Sequence, residues 1–519
     1  MNLMQLIERN ANVNGGGTAT VDGRRRRSWA EARERIACLA GGLREIGCQS
    51  NDRIGILALN SDRYFEALFA IPWAGGVMVP INIRLAAPEV EFWIQDSGLH
   101  TLFVDQAFAA LIAGLDGRLS ELRHVIFMGD GEAPAGMVSH DALASGSEAI
   151  DPSDRGGGDL SGLFYTGGTT GRSKGVMLSH DNQVINALQI SRNFEMSRNT
   201  VYLNVAPMFH AANMAGMLNA TLASAALVFV PRFEPELAMR TISGQRVTHS
   251  VMVPTMINML VHHPAIGSHD LSSLELLLYG GSPMAESVIA RVGEVLPGLR
   301  LVQAYGQTET SPVLTLLGPE YHVFEGPLAG KTKSAGQAVA CTDLAIMDAD
   351  DRRLGPGEIG EVCARGPNVM IGYWNLPEQT GETIRSGWIH TGDGGYIDKD
   401  GFLFISDRVK DMIVSGGENV YSIEVENALY KHPAVASCAV IGIPSEKWGE
   451  EVHAVVVRSE GHEATAAELI VHCQGLIAGY KCPRSISFRD DALPLSGAGK
   501  ILKRELRAPF WQGRSRQIG

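Results

Sequence analysis

The stretch Phe164 to His180, FYTGGTTGRSKGVMLSH, crowds glycine, threonine and lysine into one short segment. Gly167, Gly168, Gly171 and Gly175 allow backbone N–H groups to converge on an anion. Thr166, Thr169, Thr170 and Ser173 supply hydroxyls, and Arg172 and Lys174 supply positive charge. A surface loop, a Walker-type nucleotide loop and another kind of phosphate grip all use these residue types. A Walker loop needs Gly-Lys followed directly by Ser or Thr at a helix start. Gly171-Arg172-Ser173-Lys174 breaks that spacing. A plain loop and a different polyphosphate site remain.

Further polar clusters are spread along the chain. They are Tyr279-Gly280-Gly281-Ser282-Pro283, Tyr305-Gly306-Gln307-Thr308-Glu309, His390-Thr391-Gly392-Asp393, Asp407-Arg408, Ser415-Gly416-Gly417-Glu418-Asn419 and Pro494 through Lys500. Several follow apolar strand-like runs, which is where α/β proteins place ligands.

The elements that must position them follow from periodicity. Strands are expected over 54–59, 77–81, 101–104, 226–230, 274–279 and 299–302, and helices over 63–71 and 286–296. That alternation predicts α/β layers with largely parallel sheets. After about Gly330 short strands punctuated by glycine take over, at 359–364 and 402–405, with Asp398 to Gly401 as a hairpin turn. From about Lys410 a compact unit is expected, with a helix over 423–430, strands over 436–441 and 452–457, and a helix opened by the capping box Thr465…Glu468. A boundary falls near Asp407 to Lys410.

At 519 residues the chain is too long for one ordinary core. A net charge of −13 argues against a general nucleic-acid or membrane binder, while leaving room for an anion in a local field. Arg24 to Arg27 is the densest basic run, just ahead of a capping box at Ser28…Glu31, and reads as a solvated turn. Seven cysteines without a CxxC pair suit a reducing cytoplasm and suggest no cysteine metal site. No signal peptide and no membrane-length apolar stretch is expected.

In this order and at these spacings, the seven clusters resemble the adenylate-forming superfamily of acyl- and aryl-CoA synthetases, adenylation domains and luciferases. The likeness covers essentially the whole chain. Asp407 to Val420, DRVKDMIVSGGENV, and Trp448-Gly449 make it most similar to the 4-chlorobenzoate, 4-coumarate and medium- to long-chain fatty acyl-CoA ligases. The resemblance implies an α/β protein. Its large N-terminal domain, 1–407, would hold layered α/β subdomains and a β-barrel-like subdomain. Its small mobile α+β C-terminal domain, 408–519, would be hinged near Lys410. It implies an ATP-dependent acid–thiol ligase that makes acyl-AMP and pyrophosphate, then transfers the acyl group of a fatty or aryl acid to coenzyme A. Loading of a carrier protein and an inactive nucleotide-binding regulator are the alternatives. Gly416, Gly417 and Trp448 favour coenzyme A, and intact Lys500 and Glu309 speak against an inactive protein. A homodimer is compatible with the family.

The resemblance also implies residue roles. Thr166 to Gly171 and Lys174 match the family's phosphate loop TSGTTGxPKG, with Gly168 in place of serine and Ser173 in place of proline. Glu309 would hold Mg²⁺, as a hard ion prefers carboxylate oxygen, and Thr308 would reach the α-phosphate. Tyr305 and Gly306 would offer a face to adenine, and Gly281, Ser282 and Pro283 would line its edge. Asp393 would accept the ribose hydroxyls with Arg408 beside it. Lys500 would bridge the carboxylate and the α-phosphate, with Lys503 as the decoy at a helix start. His210 would stand between acyl pocket and thiol tunnel, as a gate or a base. Gly416 and Gly417 would wall that tunnel and Trp448 would pack on coenzyme A. Ala211, Ala212, Gly216, Gly281, Gly306, Pro312 and Val313 would line the acyl pocket, which holds no cation and so suits an apolar or neutral acid.

Overall fold

A computed structural model describes the chain except residues 116, 167–172, 283, 409–411, 416–417, 446–447, 496–500 and 513–519, with the side chains of 407, 408, 414, 418 and 419 also left aside. Gly167, Gly168, Thr169, Thr170, Gly171, Pro283, Lys410, Gly416, Gly417 and Lys500 therefore lie outside the described residues, as does the side chain of Arg408.

Two large sheets form the frame. In the first, of nine strands, Thr18–Asp22, Ala226–Phe229, Val201–Asn204, His249–Met252, Leu276–Gly280 and Arg300–Tyr305 run parallel, with Thr315–Leu317 added antiparallel at one side and Arg25–Ser28 at the other. In the second, of eight strands, Arg53–Leu57, Val77–Pro80, Thr101–Val104 and His124–Phe127 are parallel neighbours. Leu160–Thr166 and Lys174–Ser179 then form an antiparallel pair, and the short strand Gly372–Tyr373 closes that edge on Lys174–Ser179. Parallel sheets need both faces covered, and their strands here are apolar on both sides. The helices Trp29–Glu45, Asp62–Trp73, His180–Phe194 and Ala211–Leu222 supply residues to one continuous apolar core shared with both sheets.

A smaller antiparallel sheet follows, built from Asp343–Met347, Gly360–Arg365, Trp388–Ile397 and Ile384–Arg385, with Leu403–Arg408 on Trp388–Ile397. Beyond it a separate five-stranded sheet is built on the long hairpin Val435–Ser445 and Gly449–Arg458, with its own core packed under the helices Ser422–Leu429 and Ala466–Gln474. The chain is thus mixed α/β, with a large N-terminal part and a smaller C-terminal one.

Most expected elements lie within two residues of their observed bounds. Asp62–Trp73 stands where a helix was expected over 63–71, and Arg300–Tyr305 extends the strand expected over 299–302 toward the cleft. The capping boxes at Ser28…Glu31 and Thr465…Glu468 are both formed. Among the described residues no helix is long and apolar enough to cross a membrane.

The arginine run departs from expectation. Arg25–Ser28 is a strand, not a solvated turn. Arg25 contacts Asp22 at 2.6 Å and Asp62 at 3.0 Å, and Arg27 contacts Glu66 at 2.9 Å. Arg35 reaches the same Glu66 at 2.7 Å. Asp62 and Glu66 sit one turn apart on the helix Asp62–Trp73, each only 1 % exposed, so Arg25 and Arg27 are drawn inward by buried carboxylates while Arg24 and Arg26 stay exposed. Leaving buried charges unpaired is costly. Glu66→Ala is expected to lower unfolding stability by about 3 kcal/mol in a denaturant titration. A change under about 0.5 kcal/mol is what a solvated run would give.

Candidate active site

The C-terminal ends of the central parallel strands open onto a cleft of about 2320 Å³. Three sheets contribute to it. Thr166, Ser173 and Lys174 come from the antiparallel pair of the eight-stranded sheet. Gly281, Ser282, Tyr305, Gly306, Thr308 and Glu309 follow two adjacent strands of the nine-stranded sheet. Thr391 to Asp393 come from the smaller antiparallel sheet.

Glu309 lies in a short 3₁₀ turn, Thr308–Thr310, and is 9 % exposed. Its Oε1 accepts a hydrogen bond from the Tyr373 hydroxyl at 3.0 Å, and its backbone carbonyl accepts from Met370 N at 2.9 Å. Burial, then the neighbouring Glu309 carboxylate, push the Tyr373 phenol above its ordinary range, so it remains a donor. The Lys174 ammonium stands 4.7 Å from the centre of the same ring. Tyr373 therefore ties the strand Lys174–Ser179 to the acidic turn. Nothing in the spacing of Gly372-Tyr373-Trp374 singled it out.

The loop after Tyr305 is clamped by buried amides. Asn186 and Asn368, both 0 % exposed, each donate to the Val313 carbonyl at 2.9 Å, and Asn368 also donates to Thr310 O at 3.2 Å. Gly306 has φ +155°, and a Cβ there would stand 2.1 Å from the Pro312 carbonyl oxygen. This fold-back brings Pro312 and Val313 to the cleft wall.

The opposite wall is the start of Ala211–Leu222. His210 caps that helix, its Nδ1 accepting from Ala212 N at 3.2 Å. Ala211, Ala212 and Gly216 all line the cleft. A Cβ at Gly216 would meet the Tyr202 hydroxyl at 2.3 Å.

Asp393 is 9 % exposed, and its Oδ2 accepts from the Tyr305 hydroxyl at 2.7 Å. Its backbone is paired with that of Arg408 across the strands. Glu361 fixes this strand, with Oε1 accepting from Gly392 N at 2.9 Å and Oε2 lying 2.9 Å from His390 Nδ1. Glu361, Cys363 and His390 are ligand-type side chains that converge here. Arg385 Nη2, 2.6 Å from His390 Nδ1, already supplies a cation. Burial, then Glu361, push the Cys363 thiol up to about 12, so it stays protonated. The group braces Asp393.

Trp448 does not line the cleft; the Arg484 guanidinium covers its ring at 4.4 Å. Lys503 opens the helix Lys503–Arg507 and pairs with Glu426 at 2.8 Å. Leu495 and Ile501, which flank 496–500, form a bridge to each other and line the cleft.

Residues 7–374 match the model of AMP-binding enzymes, and residues 424–500 match that of the AMP-binding enzyme C-terminal domain. The chain belongs to the AMP-binding enzyme family and is an adenylate-forming ligase of the acyl-CoA synthetase type. It is 40 % identical to a feruloyl-CoA synthase of an Amycolatopsis species, over 96 % of this chain and 95 % of that one. It is 36 % identical to the fatty acid–[acyl-carrier-protein] ligase ScoC of Streptomyces coeruleorubidus, over 92 % and 91 %. The ATP-bound crystal structure of MatB from Rhodopseudomonas palustris superposes with a TM-score of 0.87 at 30 % identity, covering 98 % of this chain and 99 % of that one. ATP and coenzyme A are accordingly substrates of this ligase.

Tyr373→Phe removes one donor from the buried Glu309 and leaves the ring under Lys174. Acid-dependent pyrophosphate release is expected to fall about tenfold, with an unchanged far-ultraviolet circular dichroism spectrum. A wild-type rate would show that the bond does not hold Glu309 for the reaction.

Proposed function

We propose that this ligase activates an aryl carboxylic acid as its acyl-adenylate and transfers the acyl group to coenzyme A. The observation that carries this reading is a single cleft shared by Lys174, Thr308, Glu309, Asp393 and the uncharged wall around Ala211, Ala212 and Gly216. Small apolar walls leave room for a ring, and the 40 % identity to a feruloyl-CoA synthase supports an aryl acid over a fatty one.

In the first half-reaction a carboxylate oxygen attacks the α-phosphorus, the bond to pyrophosphate breaks, and its electron pair leaves with pyrophosphate. Lys174 and Thr166 meet the β- and γ-phosphates, Thr308 meets the α-phosphate, and Asp393 accepts the ribose hydroxyls. Glu309 and the Thr308 hydroxyl are hard oxygen donors, which fits Mg²⁺ on the phosphates. Mg²⁺ would neutralise charge there. Lys500 would bridge the two reacting anions with its three donors.

In the second half-reaction the thiol proton passes to water, sulfur attacks the acyl carbon, and the bond from that carbon to the phosphate oxygen breaks, its electron pair leaving with AMP. His210 acts here as a positioning donor. Its Nδ1 lone pair is engaged by Ala212 N–H, so the neutral ring carries its proton on Nε2. An Nε2–H facing the acyl oxygen stabilises the charge that develops there. Gly416, Gly417 and Trp448 would guide coenzyme A. We take 1–407 and 408–519 as the two domains, with Lys410 as their hinge; Leu403–Arg408 closes the last sheet before it. Seven free thiols, six of them buried, support a reducing, cytoplasmic setting.

A panel of aryl and fatty acids, assayed for pyrophosphate release and then for coenzyme A-dependent AMP release, tests the reading. An aryl acid is expected to be the best substrate. Pyrophosphate release that awaits a carrier protein rather than coenzyme A would favour the second reading, which the ScoC similarity supports. Lys500→Ala is expected to cut adenylate formation by at least about a hundredfold while sparing thioester formation from supplied acyl-adenylate. An equal loss in both halves would refute its role. Lys410→Pro fixes φ near −65°, so one pose should be lost. Adenylate formation is expected to persist while transfer to coenzyme A falls by orders of magnitude, as read by single-turnover kinetics; transfer at the wild-type rate removes Lys410 as the hinge.

A further inference from the structure

A second joint between the two large sheets lies just ahead of His210 in the chain. Asn60 stands three residues after the strand Arg53–Leu57 of the eight-stranded sheet and is 5 % exposed. Its carboxamide grips the loop that leaves the strand Val201–Asn204 of the nine-stranded sheet. Met208 N donates to Asn60 Oδ1 at 2.8 Å. Asn60 Nδ2 donates to the carbonyl oxygens of Ala206 at 2.9 Å and Asn204 at 3.3 Å. The Asn60 backbone N–H donates to the Pro231 carbonyl at 3.2 Å, so the loop after Ala226–Phe229 is held as well.

Backbone partners leave no choice of amide orientation. A backbone N–H only donates and a carbonyl only accepts, so both carboxamide atoms are assigned by what they touch. The platform under Asn60 is itself pinned. Leu59 N donates to Asp105 Oδ2 at 2.6 Å, and Ser61 caps the helix Asp62–Trp73 by accepting from Tyr64 N at 3.1 Å. The gripped loop ends in His210, whose N–H donates to the Pro207 carbonyl at 3.1 Å. Ala206, Pro207, Phe209 and His210 line the cleft, while Met208 does not and is buried. Ala212 N fixes which nitrogen of the His210 ring is bare. Where the ring stands depends on the path of the loop that leads into it.

We infer that Asn60 is a positioning residue for the acyl-transfer half-reaction, which clasps Ala206 and Met208 from the opposite sheet and so sets where the His210 ring stands beside the acyl group. This rests on the reading of His210 as the donor to the acyl oxygen given above. Without the carboxamide, the Met208 N–H and the Ala206 carbonyl are left buried without that partner, and the loop shifts to satisfy them. A donor displaced by about 1 Å no longer meets the charge that develops on the acyl oxygen.

Transfer is read on its own when the full chain is first loaded with ATP and the fastest acid of the panel, then mixed with coenzyme A, and the decay of the acyl-adenylate is followed in a single turnover. Asn60→Ala and Asn60→Leu are each expected to slow that decay about tenfold. Each is then combined with His210→Ala. A residue that acts through His210 has nothing left to act on, so the double variants are expected to decay within about threefold of His210→Ala alone. If one Asn60 variant fails to fold, the other decides. A folded Asn60 variant that transfers at the wild-type rate overturns the inference. So does a double variant in which the two losses multiply, which is what a general loosening of the cleft gives. His210→Ala at the wild-type rate overturns instead the reading of His210 on which the inference rests.

Discussion

The hydrogen bond from Tyr373 to Glu309 joins the two large sheets at the place where the chemistry must happen. Tyr373 belongs to the edge of the eight-stranded sheet, against Lys174–Ser179. Glu309 belongs to the turn that follows the strand Arg300–Tyr305 of the nine-stranded sheet. A ligand that must touch both a lysine on one sheet and a carboxylate on the other needs a fixed distance between them. The backbone bond from Met370 to Glu309 and the Asn368 bond to Thr310 hold the same joint from behind. A carboxylate this buried is tolerated because the Tyr373 hydroxyl donates to it.

That joint explains how a chain of net charge −13 can serve polyanionic substrates. The bulk charge is carried by exposed carboxylates, while Asp62, Glu66, Glu309 and Asp393 are each buried with donors of their own. At the cleft, Lys174 and the hydroxyls of Thr166, Ser173 and Thr308 stand beside the Glu309 and Asp393 carboxylates. Distant exposed charge is screened within about 10 Å at ordinary ionic strength.

Much of this was legible in the sequence. Strands such as Leu276–Gly280 and Arg300–Tyr305 are short and largely apolar, and ligand-type residues crowd their C-terminal ends. The residues proposed for phosphate, adenine, ribose and acyl contacts, apart from those outside the described chain and Arg408, line one cleft. What stayed hidden depends on partners far apart in sequence. Arg25 and Arg27 look solvated until Asp62 and Glu66, 37 and 39 residues on, are brought beneath them. Tyr373 is 64 residues from Glu309, and His322 is 43 from Tyr279. No periodicity or local motif encodes such pairs. Strand ends moved by a residue or two because the last pairing is decided by the neighbouring strand, not by the strand's own apolar run.

The acyl side of the cleft carries the same lesson in packing. Gly216 lies on a buried helix between the Tyr202 hydroxyl and the cleft, and any side chain there would collide with Tyr202 before it could narrow the pocket. Tyr202 is itself fixed by donating to Asn213, one turn before Gly216. Facing it, Gly306 lets the chain fold back so that the Pro312 carbonyl occupies the space of a Cβ. The wall is therefore set at these two points by close approaches that only glycine permits, one to the Tyr202 hydroxyl and one to the Pro312 carbonyl. Interiors packed to crystal-like density resist such changes. Val251 packs against Gly216, and Asn258 and Met259 line the same cleft, where side chains can change without moving the main chain.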